Sequence, residues 1–429
     1  MTRSRPGAAE IRPAWQDAAE EVADGVYLSQ GLSNSYLVVT SAGRVVINTG
    51  MGFEAGHHRR LYDAVDTSRV HAVLLTQGHV DHVGGVDHFR ELAGDPTLVI
   101  AQANNPSCQA DDARIHRFRV KRSMPYWANA IRQADDFIRR QPADAPVPAQ
   151  STPTPDVLFD ERYEFSLGET TFECISTPGG ETLDSMVIWI PDRAIAFVGN
   201  VFSALFGHFP NLVTLRADRL RFALPFVDAV QTVIDLEPEI LCTGHFAPIR
   251  GRDTIRAELE RVRDAVQYVH DETVAGMNAG TDVTTLMRDI HLPEHLEVGE
   301  GYGKVSWGVR SIWEAYTGWF HARATTELYP LAPTAAAPDL VALAGGPAAV
   351  VDAALARLDR DEAIEAVALL EAALTADPDH RAALEAFVAA HEVLLAQHAA
   401  EHADDFENFW LTGWLRFQIA QAVERLHRS

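Results

Sequence analysis

Short stretches that alternate apolar and polar positions, or are apolar throughout, fill the chain as far as about residue 250. Residues 25–28, 35–40, 44–48 and 71–76 have the β-branched texture of strands, with Ser41-Ala42-Gly43 as a turn between two of them. Helical patterns follow at 54–66 and 86–92. Further strands are expected at 97–101, 157–159, 163–165, 171–175, 186–190, 194–198 and 236–241. Two sets of strands, each followed by helices, predict two sheets packed face to face with helices outside. Between the sets, 104–140 is polar and Arg-rich with Trp127 and Phe137 at helical spacing, and the proline-containing stretch 141–156 reads as a long surface loop. From about Arg252 onward strands give way to long helical patterns. Residues 348–374 and 381–398 repeat apolar positions with a period near 3.6 and are split by Asp377-Pro378-Asp379. The organisation expected is a flexible arm over 1–20, an α/β domain over 21–260 and an all-helical domain over 261–429.

Composition narrows the classes of partner. A formal net charge of −24 repels phosphate backbones, which excludes nucleic acid but not small anions, because these respond to local charge. Three cysteines, Cys108, Cys174 and Cys242, have no metal-type spacing and are expected as free buried thiols. A basic-then-apolar leader is missing and no apolar run reaches membrane-spanning length, so a cytoplasmic protein without membrane partners is expected.

The candidate chemistry begins where the apolar run 73–75 ends, at Thr76-Gln77-Gly78-His79-Val80-Asp81-His82-Val83-Gly84-Gly85. His79, Asp81 and His82 offer nitrogen and oxygen donors within four residues, a zinc-type or iron-type set. Gly84 and Gly85 are expected to let the backbone turn into the next helix. Other strand ends carry Thr177-Pro178-Gly179-Gly180-Glu181, Val198-Gly199-Asn200 and Thr243-Gly244-His245. Between them, Asn211 and Arg216 sit in a segment that also holds Arg219 and Arg221, and a guanidinium fork suits a tetrahedral oxyanion.

These residues resemble the metallo-β-lactamase superfamily signature His-x-His-x-Asp-His, with Gln77 where the first His stands. Glu181 after Thr-Pro-Gly, together with Asn211 and Arg216, is similar to the alkylsulfatase branch. Gly301-Tyr302-Gly303-Lys304-Val305-Ser306, Tyr316-Thr317-Gly318-Trp319-Phe320 and Phe409-Trp410-Leu411-Thr412-Gly413 resemble its dimerisation region. The likeness covers residues 25 to 415 and stops short of the sterol-carrier-like domain that such sulfatases carry at the C-terminus.

The resemblance implies an αββα sandwich followed by a tetratricopeptide-like helical domain, and a homodimer. It implies a metal-dependent hydrolase that cleaves a sulfate ester, or a similar small anionic substrate, with water activated at the metal. One metal position would use Gln77, His79 and Glu181, the other Asp81, His82 and His245, and Asn200 stands where a bridging acid is expected. Amides are poor replacements for an imidazole and a carboxylate, so one strong zinc site and one weak or altered site follow, with iron or manganese as other occupants. Asp81 would also orient the water, while Arg216 and Asn211 would hold the sulfate. Two other readings stay open: an enzyme acting on a specialised metabolite such as a lactone, amide or β-lactam-like compound, and a degenerate non-hydrolytic member with an iron or single-metal site.

Overall fold

A computed structural model describes residues 5–90, 96–141, 147–212, 215–217, 221–402 and 406–428. The chain forms two compact units, Met1–Ala315 and Tyr316–Ser429.

In the first unit one sheet runs, in spatial as in chain order, through β1 (Glu20–Ala23), β2 (Val26–Ser29), β3 (Ser35–Thr40), β4 (Gly43–Ile47), β5 (Val70–Leu75), β6 (Leu98–Gln102) and β7 (Val157–Phe159). It is antiparallel as far as β4 and parallel from β4 to β7. The second sheet holds β8 (Arg162–Leu167), β9 (Thr170–Ser176), β10 (Met186–Ile190), β11 (Ile195–Gly199), β12 (Ile240–Thr243) and β13 (Ile249–Arg250), with β11 and β12 parallel. Helices α1 (Ala55–Asp63), α2 (Val80–Val83), α3 (Val86–Phe89) and α4 (Asn105–Arg140) follow strands of the first sheet. Helices α5 (Ala223–Asp235), α6 (Arg252–Asn278), α7 (Val283–Asp289) and α8 (Val305–Thr317) follow the second.

Strand alternation assigns the layers, because successive side chains leave opposite faces of a sheet. Val45 and Ile47 of β4 join Ile188 and Ile190 of β10 and Ile195 and Phe197 of β11 in the core between the sheets. Val46 of β4 faces outward with Val73 and Leu75, against Ala55, Tyr62, Val86 and Phe89 of the helices. Val187, Trp189, Ala196 and Val198 face the other way, against Phe226, Val230, Leu259 and Val309. Four layers result, the expected αββα sandwich.

Several details depart from the sequence expectations. The apolar stripe of α6 and α8 packs on the second sheet's outer face through Leu259, Val262, Val309 and Ile312, within the compact unit that ends at Ala315. The segment expected as a loose arm buries Ala8, Ile11 and Ala14. Strands β1 and β13 were not expected; both are short edges. Of the helix expected at 86–92, α3 ends at Phe89, and 91–92 lie outside the described residues.

The second unit consists of α9 (Ala337–Leu343), α10 (Pro347–Leu358), α11 (Ala363–Ala376), α12 (Arg381–Glu401) and α13 (Phe409–Arg428), packed around Ala354, Leu370, Phe387 and Ala422. The pattern expected as one helix over 348–374 is two, because Asp361 takes a left-handed φ of 59° between them. That break turns α11 back on α10. Among the described residues no single helix is long and apolar enough to cross a membrane.

One buried carboxylate ties three segments of the first unit together. Glu54 accepts the backbone N–H groups of Ala14 at 2.8 Å, Leu32 at 3.0 Å and Met51 at 3.1 Å. Burial raises its carboxyl from the ordinary 4.5 to about 7, against those three hydrogen bonds. Glu54→Ala should therefore cost about 3 kcal/mol in urea unfolding, roughly 1 kcal/mol for each orphaned N–H. Between pH 4.5 and 7 the folded chain holds a proton that the unfolded chain has released, so stability falls as pH rises through that window. Glu54→Gln should flatten that slope.

Candidate metal centre

The candidate residues gather on loops at the ends of β5, β9, β11 and β12. His79 caps α2 in an extended conformation, and its carbonyl accepts the His82 N–H at 2.9 Å, so the helical turn sets Asp81 and His82 just beyond the strand. Thr49 N–H donates to the His82 carbonyl at 2.8 Å, and the Ser33 hydroxyl donates to the Asp81 carbonyl. Gly84 and Gly85 both have negative φ, so the turn itself does not demand them. Close approach does: a Cβ on Gly85 would strike Ala55 and Thr49, and one on Gly84 would strike Gln150 and Gly52.

The loop bearing His245 is held from across the sandwich. Asn34 Nδ2 donates to the carbonyls of Thr243 at 2.9 Å and Phe246 at 2.7 Å, and the Tyr36 hydroxyl donates to Thr243 at 2.7 Å. Gly199 and Gly244 leave no room for side chains, which would meet Thr76 and Asn200 respectively.

The structure brings Asp81, His82 and His245 together, one ligand atom from each lying within 4.8 Å of the others. His82 Nδ1 and Nε2, His245 Nδ1 and Asn200 Oδ1 are buried, with no hydrogen-bond partner among the described residues. Burial pushes the His82 imidazole down to about 4, against the pull of Asp81, and lowers His245 as well. Burial opposes the charge of Asp81, yet His82, His245, His79 and Arg216 together hold its carboxyl below the ordinary value. Two neutral imidazoles and a carboxylate, with unpartnered nitrogens aimed at one place, fit a divalent cation. A second convergence, His398, Glu401 and His402, lies in the helical unit, where His398 Nε2 already accepts the Asn408 N–H at 2.9 Å.

Gln77, His79 and Glu181 also meet, but in a closed network. Gln77 Nε2 donates to Glu181 Oε2 at 2.8 Å and to His79 Nδ1 at 2.7 Å, while its Oε1 accepts the Asn200 N–H at 3.2 Å. The other oxygen, Glu181 Oε1, pairs with Arg221 Nη2 at 3.1 Å, and Arg221 Nη1 donates to the Asn211 carbonyl at 3.2 Å. Burial opposes the Glu181 charge, but Arg221, His79 and Arg216 outweigh it and hold the carboxyl well below the usual range.

In the sequence Arg221 is one more arginine of a basic segment. Its only signal there was proximity to Arg216. Arg216 itself is half-buried and electrostatically coupled to Asp81, Glu181 and His245, and Asn211 is buried. Beside this network lies a cavity of about 470 Å³ whose wall includes His79, Glu181, Arg221, Ile115, Leu183 and Phe222.

Fold and centre define a class. The chain belongs to the metallo-beta-lactamase superfamily, whose model matches residues 28–245. A second model, alkyl sulfatase dimerisation, matches residues 283–416. Within the superfamily the relatives are alkylsulfatases. A linear primary-alkylsulfatase of a Pseudomonas strain is 24% identical over 324 residues, 72% of this chain and 60% of the relative. An alkyl/aryl-sulfatase of Saccharomyces cerevisiae is 24% identical over 426 residues, 94% of this chain and 64% of the relative. The fold is shared with the stereoselective inverting sec-alkylsulfatase of Pseudomonas sp., with a TM-score of 0.78 at 21% identity over 96% of this chain and 66% of that one. The chain thus spans about 60% of the length of the curated relatives it matches. Superfamily membership implies a divalent metal, and the Asp81, His82 and His245 donors suit one.

Removing a donor from this set should weaken metal binding more than an outer-shell change does. His245→Ala and Asp81→Ala are each expected to lower zinc affinity by more than about 100-fold in competition titrations with a chelating dye.

Proposed function

We propose that the chain is a metal-dependent hydrolase of sulfate esters that takes small anionic substrates and works as a homodimer. The observation that carries this reading is the cluster of Asp81, His82 and His245, with buried unpartnered nitrogens, electrically coupled to the arginine Arg216. The dimerisation-type match over 283–416 and the alkylsulfatase relatives support the substrate class. Trp319, Tyr329, Leu340 and Leu343, left exposed at the surface of the helical unit, support association with a second copy.

Asp81, His82 and His245 would hold the metal, and zinc suits two imidazoles and a carboxylate best. When bound, such a cation supplies Lewis acidity that makes water a nucleophile near neutral pH. Asp81 orients the attacking water by accepting one of its hydrogens. Arg216 neutralises the sulfate group, and Asn211 helps to hold it. Apolar Ile115, Leu183 and Phe222 receive the organic part and keep bulk water from it. Water is consumed, the ester bond breaks, and an alcohol and hydrogen sulfate leave.

The test is sulfate release from a panel of short linear and branched alkyl sulfates, measured by ion chromatography before and after chelation. Hydrolysis should vanish on chelation and return with zinc; turnover persisting in metal-free protein would sink the reading. Activity confined to lactones or amides would move the chain to specialised-metabolite chemistry. Light scattering should give the mass of a dimer.

A further inference from the structure

We propose that the Arg221 guanidinium stands in for the second cation, so that the centre combines one exchangeable metal ion with one fixed organic cation. This rests on the metal-dependent reading above and specifies its cation content.

Three observations carry it. First, the Glu181 oxygens, the Gln77 amide oxygen and His79 Nδ1, donors that a second ion would need, are already engaged. Glu181 gives one oxygen to Arg221 at 3.1 Å and the other to Gln77 at 2.8 Å, and His79 Nδ1 accepts from Gln77 at 2.7 Å. The Gln77 amide oxygen, the one atom of that side chain able to ligate, accepts the Asn200 N–H at 3.2 Å. Second, the contrast within the centre is sharp: His82 and His245 keep buried nitrogens without hydrogen-bond partners among the described residues, and neither His79 Nδ1 nor Glu181 does. One half is shaped to receive an ion, the other is closed by hydrogen bonds. Third, the Arg221 and Glu181 side chains are only 5% and 2% exposed. A carboxylate so deeply buried requires a compensating charge, and the guanidinium supplies it through Nη2 while Nη1 is held by the Asn211 carbonyl.

The charges also balance against the pattern of the superfamily. Asn200 in place of an acid removes one negative charge, and a guanidinium in place of a divalent ion removes one positive charge. Gln77 for His changes neither. The three departures are therefore one exchange: with Arg221 present, an acid at 200 and an imidazole at 77 lose their purpose. Because Arg221 also lines the cavity with His79 and Glu181, its charge faces the substrate and serves as an anion-binding group that no chelator removes.

Metal content of the full-length protein tests this without reference to any substrate. After zinc loading and dialysis, mass spectrometry should find one zinc per chain in the wild type. Gln77→His alone should leave that value at one, since Glu181 remains paired with Arg221, whereas Gln77→His/Asn200→Asp/Arg221→Ala should raise it to two. Two zinc ions in the wild type, or in Gln77→His alone, would overturn the inference while leaving a metal-dependent hydrolase intact. No bound zinc at all would instead overturn the functional reading on which it rests.

A second measurement guards against poor folding of the triple variant. Arg221→Ala should lose thermal stability, and millimolar guanidinium chloride should restore part of it where sodium chloride does not. Equal responses to the two salts would count against a guanidinium-specific site.

Discussion

A carboxylate withdrawn from water needs its charge met, at a desolvation cost of several kcal/mol per ion, and Glu181 is such a group. The way its two oxygens are satisfied determines much of the surrounding architecture. One oxygen requires a guanidinium, which draws Arg221, two residues before α5, and the Asn211 carbonyl to the same point. The other requires the Gln77 amide, which fixes the chain just past β5 and, through Asn200, the end of β11. The loop bearing Glu181 is tied further by Asp184, which accepts from Asn105 at the start of α4. Helices and strands from both layers thus converge on one buried charge, and the cavity is the space left between them.

The neighbouring cluster follows the opposite logic. His82 and His245 bury ring nitrogens with no partner among the described residues, at a cost of about 1–3 kcal/mol for each unmet group. Such a cost persists in a fold only when something else is gained, and here the gain is a set of neutral imidazoles ready to ligate. Burial keeps them unprotonated, so protons compete poorly for the same lone pairs near neutral pH. The rigid frame behind them, with Asn34 and Tyr36 gripping Thr243 and Asn48 gripping Thr76, prevents the loops from collapsing to satisfy those nitrogens locally.

Most of the sandwich was legible in the sequence because each strand is apolar on both faces or alternates, and either pattern survives without tertiary context. The helix break at Asp361 was not, since a left-handed residue between two Ala-rich runs leaves the apolar period undisturbed. The N-terminal segment is hidden for a related reason: it is anchored by the scattered apolar residues Ala8, Ile11 and Ala14 and by a backbone hydrogen bond to Glu54, which together leave no periodic signature. In the centre, His79, Asp81 and His82 announced themselves by local spacing, but Arg221 lies far along the chain from Gln77 and Glu181. An arginine among arginines reads as solvated surface, and only the fold reveals that this one is buried. The glycines after the motif were recognised, though for backbone freedom rather than for the close contacts that require them.

A fixed guanidinium and an exchangeable metal ion divide the tasks of the centre. Arg is always charged in proteins and cannot be exchanged, so part of the attraction for an anion is built into the chain. On the reading proposed above, only the activation of water would depend on the ion that Asp81, His82 and His245 would hold. On that reading, affinity for an anionic head group and turnover would be separable: the first would persist in metal-free protein and the second would not. A centre with two exchangeable ions has no such separation, because removing them takes away both the anion's partner and the source of nucleophilic water. Replacing one ion by Arg221 keeps the field that binds substrate and confines the chemistry to a single position.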